Sequence, residues 1–178
     1  MKLEQGRPLE MEGRQGKEQK TYEFLDSMGI LYERVDHEPL MTMEDCREAD
    51  ELLGADICKN LFLCNAQRTD FYLLMLPAHK KFQAGKLSKQ IGSARLSFAE
   101  ETWMEKFLNL TPGSVSVMGL MYDTENQVKL LVDREVLEGN PRIGCHPCVN
   151  TSSISMTKKD LLERFLPAVG HDWTTVDL

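Results

Sequence analysis

Apolar residues along this chain recur at two spacings, one near the helical period and one typical of buried strands. In residues 20–28 they follow the helical period and Gly29 comes directly after them as a stop, which predicts a first helix. Residues 57–64 and 70–76 are nearly continuous apolar, β-prone runs joined by a short polar stretch, which predicts a hairpin with both strands in the core. The same patterns predict further helices at 42–53, 82–91, 100–108, 134–137 and 157–165, and further strands at 30–35, 95–98, 114–121, 129–132 and 149–156.

Two of the predicted helices begin with a capping signal. Thr42 is followed three residues later by Asp45, and Thr157 is followed in the same way by Asp160. In such a pair the side chains accept hydrogen bonds from backbone N–H groups that the first helical turn leaves unpaired. Gly54 is placed to end the second helix.

Helices and strands are interspersed without a regular strand, helix, strand rhythm. This order favours the α+β class, with a mixed β-sheet flanked by helices, over a doubly wound parallel sheet. No repeat, low-complexity tract or linker divides the chain, so we predict a single domain over residues 20–178. Residues 1–19 are rich in charged residues, Gln and Gly and lack an apolar run, which predicts a flexible leader rather than a secretory signal.

Composition is that of an ordinary globular protein. Of the 178 residues, 42% are hydrophobic and 28% are charged, and no apolar run is long enough to cross a bilayer. The five cysteines cannot all pair with one another, and a chain of this length does not need disulfides to fold. We therefore expect a protein of the reducing cytoplasm with no membrane partner.

The net charge of −7 argues against a protein that coats nucleic acid through bulk charge, because such binding depends on cations that neutralise phosphates. One segment differs from the rest: residues 79–95 contain no Asp or Glu. Its cations are Lys80, Lys81, Lys86, Lys89 and Arg95. The pattern is compatible both with a solvated loop and helix face and with a surface that contacts phosphates.

Lys59 is the first candidate for chemistry, because it lies inside the apolar run 57–64. Strand alternation places its side chain on the same face as Ile57, Leu61 and Leu63. Burial of an ammonium group costs several kcal/mol, roughly, unless a partner replaces its hydration. One explanation is an edge-strand lysine that reaches water. The neighbouring Asn60 favours the other explanation, a polar pocket within a core strand.

Two loops carry groups that could hold a small polar ligand. Residues 144–152 combine a histidine, an asparagine and several hydroxyls, and the turn at 111–116 contains a glycine that permits close backbone approach. Either loop could equally be stabilised by its own hydrogen bonds. Cys145 and Cys148 also form a C-x-x-C pair, but neither the two further ligands of a structural zinc nor the following helix of a redox pair is predicted.

Taken in order, several short motifs resemble one family, the YbaK/prolyl-tRNA-synthetase-associated editing domains. The motifs are His37-Glu38-Pro39 with Thr42, Lys59-Asn60-Leu61-Phe62-Leu63, Gly85-Lys86-Leu87, Arg95-Leu96-Ser97-Phe98-Ala99, Thr111-Pro112-Gly113-Ser114-Val115-Ser116, and His146-Pro147 with Asn150-Thr151. The resemblance covers residues 22–165 and is strongest to the free-standing deacylases that remove alanine from tRNA for proline. The ordered series is far more specific than any one motif.

The resemblance implies the fold and the chemistry. It implies a compact mixed sheet surrounded by helices, no metal or other cofactor, and hydrolysis of the aminoacyl ester at the acceptor end of tRNA. By this match Lys59 corresponds to the family's essential lysine. From the charge pattern, Lys80, Lys81, Lys86 and Lys89 are the cations expected to face the tRNA backbone. The residues that correspond to the pocket around the aminoacyl group and terminal adenosine are Thr42, Asn60, Gly113, Ser114, Val117, His146, Asn150 and Thr151.

Val117 departs from the family pattern, which usually has proline there, close to the amino-acid pocket. Cysteine on tRNA for proline, or serine on another tRNA, is therefore an alternative substrate. A second alternative is a non-catalytic tRNA-binding module, and the resemblance leaves prolyl-tRNA synthetase open as a further partner. A proline-specific synthetase excludes the smaller alanine poorly, because each missing methylene discriminates by roughly 10 to 200-fold, so a second, smaller site would be needed to remove the error.

Overall fold

The computed structural model describes residues 1–40, 42 and 44–178. Over these residues the chain folds into two five-stranded mixed sheets with helices around them. The strands are β1 (Leu3–Gln5), β2 (Glu33–Asp36), β3 (Asp56–Ile57), β4 (Lys59–Asn65), β5 (Phe71–Leu76), β6 (Leu96–Phe98), β7 (Val128–Asp133), β8 (Arg142–Cys145), β9 (Ser152–Thr157) and β10 (Trp173–Val176). The helices are α1 (Gly16–Ser27), α2 (Cys46–Leu53), α3 (Ala84–Ile91), α4 (Glu101–Leu108), α5 (Arg134–Glu138), α6 (Lys158–Asp160) and α7 (Leu166–Ala168), with a 3₁₀ segment at Val117–Tyr122 and a π-helical turn at Leu161–Phe165.

The two sheets have different strand orders. The first sheet runs β1-β2-β9-β8-β3, in which only the β8–β3 pair is parallel among the described pairs. The second runs β10-β7-β5-β4-β6. Its β10–β7 and β7–β5 pairs are parallel, and its β5–β4 and β4–β6 pairs are antiparallel. This mixture confirms the predicted α+β class, with two sheets where the sequence indicated one.

Most of the buried side chains form one core, in which α1 packs through its apolar positions. Tyr22 and Leu25 of α1 are fully buried there, as are Leu73 of β5 and Ile154 of β9. A second, smaller cluster lies on the opposite face of the second sheet, where α3 covers β4 and β5 with Leu87. Removing this much apolar surface from water is the main stabilisation of such a fold.

The chain changes sheets at Cys58. Ile57 is paired with Gly144 in the first sheet, whereas Lys59 is paired with Leu76 in the second. The apolar run that the sequence predicted as one strand is therefore two short strands, and the residues at their junction lie where the sheets separate. This junction positions the candidate site.

Several sequence predictions are confirmed. The hairpin is present as β4 and β5, and α1, α3, α4 and α5 lie within a few residues of their predicted bounds. Thr42 and Asp45 exchange backbone-to-side-chain hydrogen bonds before α2, and Thr157 Oγ1 accepts from the Asp160 N–H at 3.1 Å. Gly54 ends α2 in the left-handed conformation at φ +58°.

The strand predicted at 114–121 is wrong. Residues 117–122 form the 3₁₀ segment, because Ser116 Oγ accepts a hydrogen bond from the Met118 N–H and starts a helical turn. Gly119 is packed so closely on the preceding chain that a Cβ there would lie 2.7 Å from Leu110 Cδ1. The partner of β7 is therefore β5, not the 114–121 segment.

Three strands were not predicted. β8 falls in a stretch that the sequence indicated as a turn, β10 follows the last predicted helix, and β1 lies in the segment expected to be a flexible leader. β1 pairs with β2 through Leu3 and Val35. Arg14, from the same segment, contacts Asp36 at 2.7 Å and Glu18 at 2.6 Å. Among the described residues, no helix is both long and apolar enough to cross a membrane.

Candidate active site

A small cavity of about 180 Å³ lies beside the junction of β3 and β4. It is enclosed by the start of α2, the junction itself, the turn before the 3₁₀ segment, and the loop after β8. The residues that line it are Cys46, Ile57, Cys58, Asn60, Gly113, Val115 and His146. Three of the sequence-predicted site residues, Asn60, Gly113 and His146, are thus brought together from distant parts of the chain.

Asn60 lines this cavity and carries an unpaired acceptor. Its Nδ2 donates to the backbone carbonyl oxygen of Cys58 at 3.1 Å, which fixes the orientation of the amide. Its Oδ1 is buried and has no hydrogen-bond partner among the described residues. A buried acceptor left unpaired costs about 1–3 kcal/mol, so a ligand with an N–H or O–H donor would be favoured here.

His146 presents a second acceptor. Its Nδ1 lies 2.9 Å from the backbone carbonyl oxygen of Ser152, and since a carbonyl only accepts, Nδ1 carries the hydrogen in the neutral ring. Nε2 is then the lone-pair nitrogen. Burial lowers the pKa of His146 below its usual value and the nearby His37 acts in the same direction, although the Ser152 carbonyl opposes them. The ring is therefore neutral at pH 7.

A serine connects the two histidines. Ser153 Oγ lies 2.8 Å from His37 Nε2 and 3.4 Å from His146 Nδ1, and the two ring centroids are 6.2 Å apart. His37 is also held by its Nδ1, which is 2.8 Å from the carbonyl oxygen of Glu38. These contacts fix the His146 ring from the side away from the cavity.

The turn at 111–116 brings backbone to the cavity without a side chain. Gly113 adopts φ +86°, and a Cβ there would lie 3.5 Å from the Asn150 Nδ2. Ser114 stabilises the turn from inside, because its buried Oγ donates to the Thr111 carbonyl oxygen at 2.8 Å. Ser114 thus supports the wall, Gly113 forms part of it, and Asn150 lies beside Gly113.

Three predicted pocket residues lie elsewhere. Thr42 is exposed and its Oγ1 accepts from the Asp45 N–H, so it supports α2. Thr151 is exposed, and its backbone oxygen accepts from the His37 N–H at 3.0 Å. Val117 is fully buried in the main core. Of the turn's apolar side chains, Val115 lines the cavity instead.

Lys59 projects from the opposite face of β4 to Asn60, as strand alternation requires. Its half-buried ammonium donates to the backbone carbonyl oxygen of Lys80, with 2.7 Å between Nζ and O. Lys80 is fixed in turn by an ion pair with the fully buried Asp133, at 3.0 Å, and by Glu135. The free structure therefore does not place the Lys59 ammonium inside the Asn60 cavity.

A larger cavity of about 370 Å³ lies across Ile57 and Cys58 from the small one. Its lining includes Asp50, Arg142 and Lys158 but none of the residues that the sequence predicted as site residues. Burial raises the pKa of Asp50 to about 6 and lowers that of Lys158. Asn60, Gly113 and His146 line the small cavity instead.

Cys145 and Cys148 are both buried. Burial raises the pKa of the Cys145 thiol to about 12 and that of Cys148 to about 11, so both remain protonated at neutral pH. Thr21 Oγ1 donates to Cys148 Sγ at 3.5 Å. Within the described part of the chain, no group of three or more metal-ligating side chains is clustered.

The cations of the 79–95 segment are separated by the fold. Lys80 forms an ion pair with Asp133. Four cations are exposed and have no ion-pair partner among the described residues: Lys81, Lys86, Lys89 and Arg95. Lys86 and Lys89 project from α3. The residues free to meet an anion are thus fewer than the sequence suggested.

Sequence reasoning missed the apolar walls of the cavity. Val115 and Cys46 give no polar signal, although Val115 lies within a motif that was singled out and Cys46 directly follows a capping pair. Ile57 and Cys58 were assigned to a strand buried in the core. Only the change of sheet at Cys58 exposes them to a cavity.

Comparison with known proteins gives consistent matches. The Aminoacyl-tRNA editing domain family matches residues 37–163. The chain is 32% identical over 154 residues to the "Prolyl-tRNA editing protein ProX" of Acetoanaerobium sticklandii, covering 86% of this chain and 93% of that protein. It is 33% identical over 150 residues to the "Prolyl-tRNA synthetase associated domain-containing protein 1" of Danio rerio, covering 84% and 80%. The fold is similar, with a TM-score of 0.66 at 17% identity, to a solved structure described as a candidate trans-editing enzyme for prolyl-tRNA synthetase, covering 92% of this chain and 97% of the other.

Proposed function

This chain belongs to the aminoacyl-tRNA editing domain family, and we propose that it is a deacylase that removes alanine wrongly attached to tRNA for proline. The names of its relatives in Acetoanaerobium sticklandii and Danio rerio, which refer to prolyl-tRNA editing and to prolyl-tRNA synthetase, support tRNA for proline as the carrier. The observation that carries the proposal for this chain is the small cavity, whose walls combine two hydrogen-bond acceptors with apolar side chains.

The two acceptors suit the α-ammonium group of an aminoacyl ester. Asn60 Oδ1 is buried and unpaired among the described residues, and His146 Nε2 carries the lone pair of a neutral ring. A primary ammonium has three N–H donors, so it can satisfy both acceptors at once and retain a third. A neutral His146 is needed for this, because a protonated ring would repel the ammonium.

The apolar walls suit a small side chain. Ile57 and Val115 contribute apolar side chains to the wall of the cavity of about 180 Å³. Proline brings a ring in place of the methyl group and a secondary ammonium with two donors instead of three. In this proposal the walls accept the methyl group of alanine and discriminate against the ring of proline, which is the selectivity that an editing site requires.

The reaction adds water across the ester. The water oxygen bonds to the acyl carbon as the bond from that carbon to the 3′ oxygen of the terminal adenosine breaks, and a water proton ends on the 3′ oxygen. The products are free alanine and tRNA with its 3′ hydroxyl restored. Because the ester is already activated, positioning and stabilisation of the developing oxyanion can drive the step without a covalent nucleophile.

In this proposal Lys59 supplies the cation for the oxyanion. It is the first residue of β4, next to Asn60, at the point where the sheets separate, and its flexible stem allows the ammonium to leave the Lys80 carbonyl when the ester enters. Gly113 lets the substrate approach the backbone closely, and Asn150 flanks it. The tRNA acceptor end is the macromolecular partner.

A panel of charged tRNAs tests this function. Alanyl-, cysteinyl-, seryl- and prolyl-tRNA for proline would be incubated with catalytic amounts of the protein, and both the free amino acid and the intact 3′ adenosine would be measured. We expect rapid release of alanine and no acceleration for proline. Preferred release of cysteine or serine would replace alanine as the substrate, and no release from any of the four would refute deacylation.

A further inference from the structure

An exposed pair of aromatic rings lies at the edge strand of the second sheet. The Phe98 side chain of β6 is 63% exposed, and its ring centroid is 5.6 Å from that of Phe82, with 59° between the planes. Phenylalanine is usually buried, so a ring left on the surface forgoes part of the stabilisation that burial would give. The exposed face of Phe98 offers a flat apolar surface.

Phe98 shares a face of the sheet with Lys59. It is paired directly with Leu63 across β6 and β4, and directly paired residues project from the same face. Lys59 precedes Leu63 by an even number of residues on β4, so it projects from that face too. The separation along the strand is about 13 Å, close to the length of four stacked nucleotides.

One loop contacts both Lys59 and Phe98. The Lys80 carbonyl oxygen that accepts from Lys59 Nζ is followed in the chain by Lys81 and then by Phe82, whose ring contacts Phe98. The surface from Lys59 to Phe98 is thus continuous.

Two of the exposed cations of the basic segment neighbour one another on α3. Gln90 bonds to Asp177 beside β10, through its Nε2 to the Asp177 carbonyl oxygen and its Oε1 to the Asp177 N–H. Lys86 lies one turn before Gln90 and three residues before Lys89, so its side chain neighbours both of them. Arg95 lies outside α3 and directly precedes β6.

We propose that Phe98 and Phe82, with Lys81 and Arg95 flanking them in the chain, form the surface on which an unpaired nucleotide of the tRNA acceptor end stacks. This inference rests on the proposed function and adds the contact that guides the acceptor end toward Lys59. Stacking on an aromatic ring tolerates any base, since every base has a π face, and the cations neutralise the flanking phosphates.

Binding of uncharged tRNA for proline tests the surface without requiring hydrolysis. We expect Phe98→Ala to raise the Kd about tenfold at constant salt, in line with the loss of one stacked base, and Phe98→Trp to retain the affinity of the wild type. Phe98→Ala removes no charge, so the salt dependence of binding should not change. Arg95→Ala should reduce the slope of log K against log salt by about one, and the matched control Lys86→Ala should leave it unchanged.

A small substrate separates this inference from the proposed function. Adenosine carrying alanine on its 3′ oxygen is too short to reach Phe98 from the site, so Phe98→Ala should hydrolyse it as fast as the wild type and lose kcat/KM only on full-length tRNA. Unchanged tRNA affinity in Phe98→Ala would overturn the inference. The ring pair would then be a candidate contact surface for a protein partner. Equal losses in Phe98→Trp and Phe98→Ala would overturn it as well, because the tryptophan ring can still stack.

Discussion

The ammonium of Lys59 is bonded to the backbone carbonyl oxygen of Lys80, with 2.7 Å between Nζ and O. Lys59 thereby lies beside the small cavity yet outside it, while its neighbour Asn60 faces inward. The loop that holds it is itself fixed, because Lys80 forms an ion pair with the buried Asp133. Substrate entry must therefore compete with one hydrogen bond from a charged donor to a carbonyl.

Asn60→Ala tests the buried acceptor. The substitution removes the unpaired Oδ1 but also the Nδ2 hydrogen bond to Cys58, so the two effects oppose each other and the free energy of unfolding should change by less than about 1 kcal/mol. Loss of the contact to the substrate ammonium should lower kcat/KM for alanyl-tRNA by about tenfold to a hundredfold. Asn60→Asp keeps an acceptor at the same place and should lose less. Equal activity in wild type and Asn60→Ala would exclude Asn60 from substrate binding.

Val115→Ala tests which residue sets the size of the pocket. Val115 lines the cavity, so its truncation should admit proline and lower the preference for alanine over proline by about tenfold, the discrimination expected of one or two methylene groups. Val115→Ile should slow alanine release. Val117→Ala is the matched control, since Val117 is buried in the core; it should lower the unfolding free energy by about 1–2 kcal/mol and leave the preference unaltered. A change of preference in Val117→Ala alone would assign selectivity to Val117.

The pH profile of kcat/KM tests the neutral state of His146. Burial holds the pKa of His146 below its usual value, so the lone pair on Nε2 survives at pH values where an exposed histidine would be protonated. The acid limb of the profile should therefore lie below about 6.5, the value of an unperturbed imidazole. An acid limb above that value would contradict a buried neutral ring.

Asp50→Asn should stabilise the protein at pH 7. Burial raises the pKa of Asp50 to about 6, so between its unfolded pKa near 4 and pH 6 the folded state binds the proton more tightly than the unfolded state. The contribution of Asp50 to stability is present at low pH and is lost as the pH rises through about 6. Removing the charge should raise the free energy of unfolding by about 1–2 kcal/mol at pH 7.

Denaturant unfolding at about pH 3.5 and about pH 7.5, either side of that range, measures the Asp50 effect. The gain from Asp50→Asn should appear at the higher pH and nearly vanish at the lower one. Asp177→Asn, at an exposed pair with Arg134, is the matched control and should change stability little at either pH. An equal gain at both pH values would show that the Asp50 carboxyl is not the cause.

The hairpin and the helix caps could be predicted because their signals are local. The apolar runs that became β4 and β5 and the Thr42–Asp45 and Thr157–Asp160 pairs act within a few residues. The change of sheet at Cys58 could not be predicted, since side-chain alternation continues through it. The 3₁₀ segment at Val117–Tyr122 was mistaken for a strand because its apolar run lacks a helical period, and its start depends on one side-chain bond from Ser116.

The candidate site was predictable only in its polar members. Asn60, Gly113 and His146 were named from unusual residue types and from the family resemblance, and the fold brings them to one cavity. Val115 and Cys46 look like any other core residues. The ion pair of Lys80 could not be predicted for another reason. Its partner Asp133 is 53 residues away in the sequence, and no local pattern indicates that pairing.

The most direct measurement is the rate at which alanine leaves alanyl-tRNA for proline in the presence of wild type, Lys59→Ala and the matched control Lys159→Ala, which removes an exposed lysine. The wild type and Lys159→Ala should deacylate at the same rate, and Lys59→Ala should fall to the rate without enzyme. Its unfolding free energy should change by no more than about 1 kcal/mol, because only one partly exposed hydrogen bond is lost. Alanine release by a folded Lys59→Ala at the wild-type rate would contradict the proposed site.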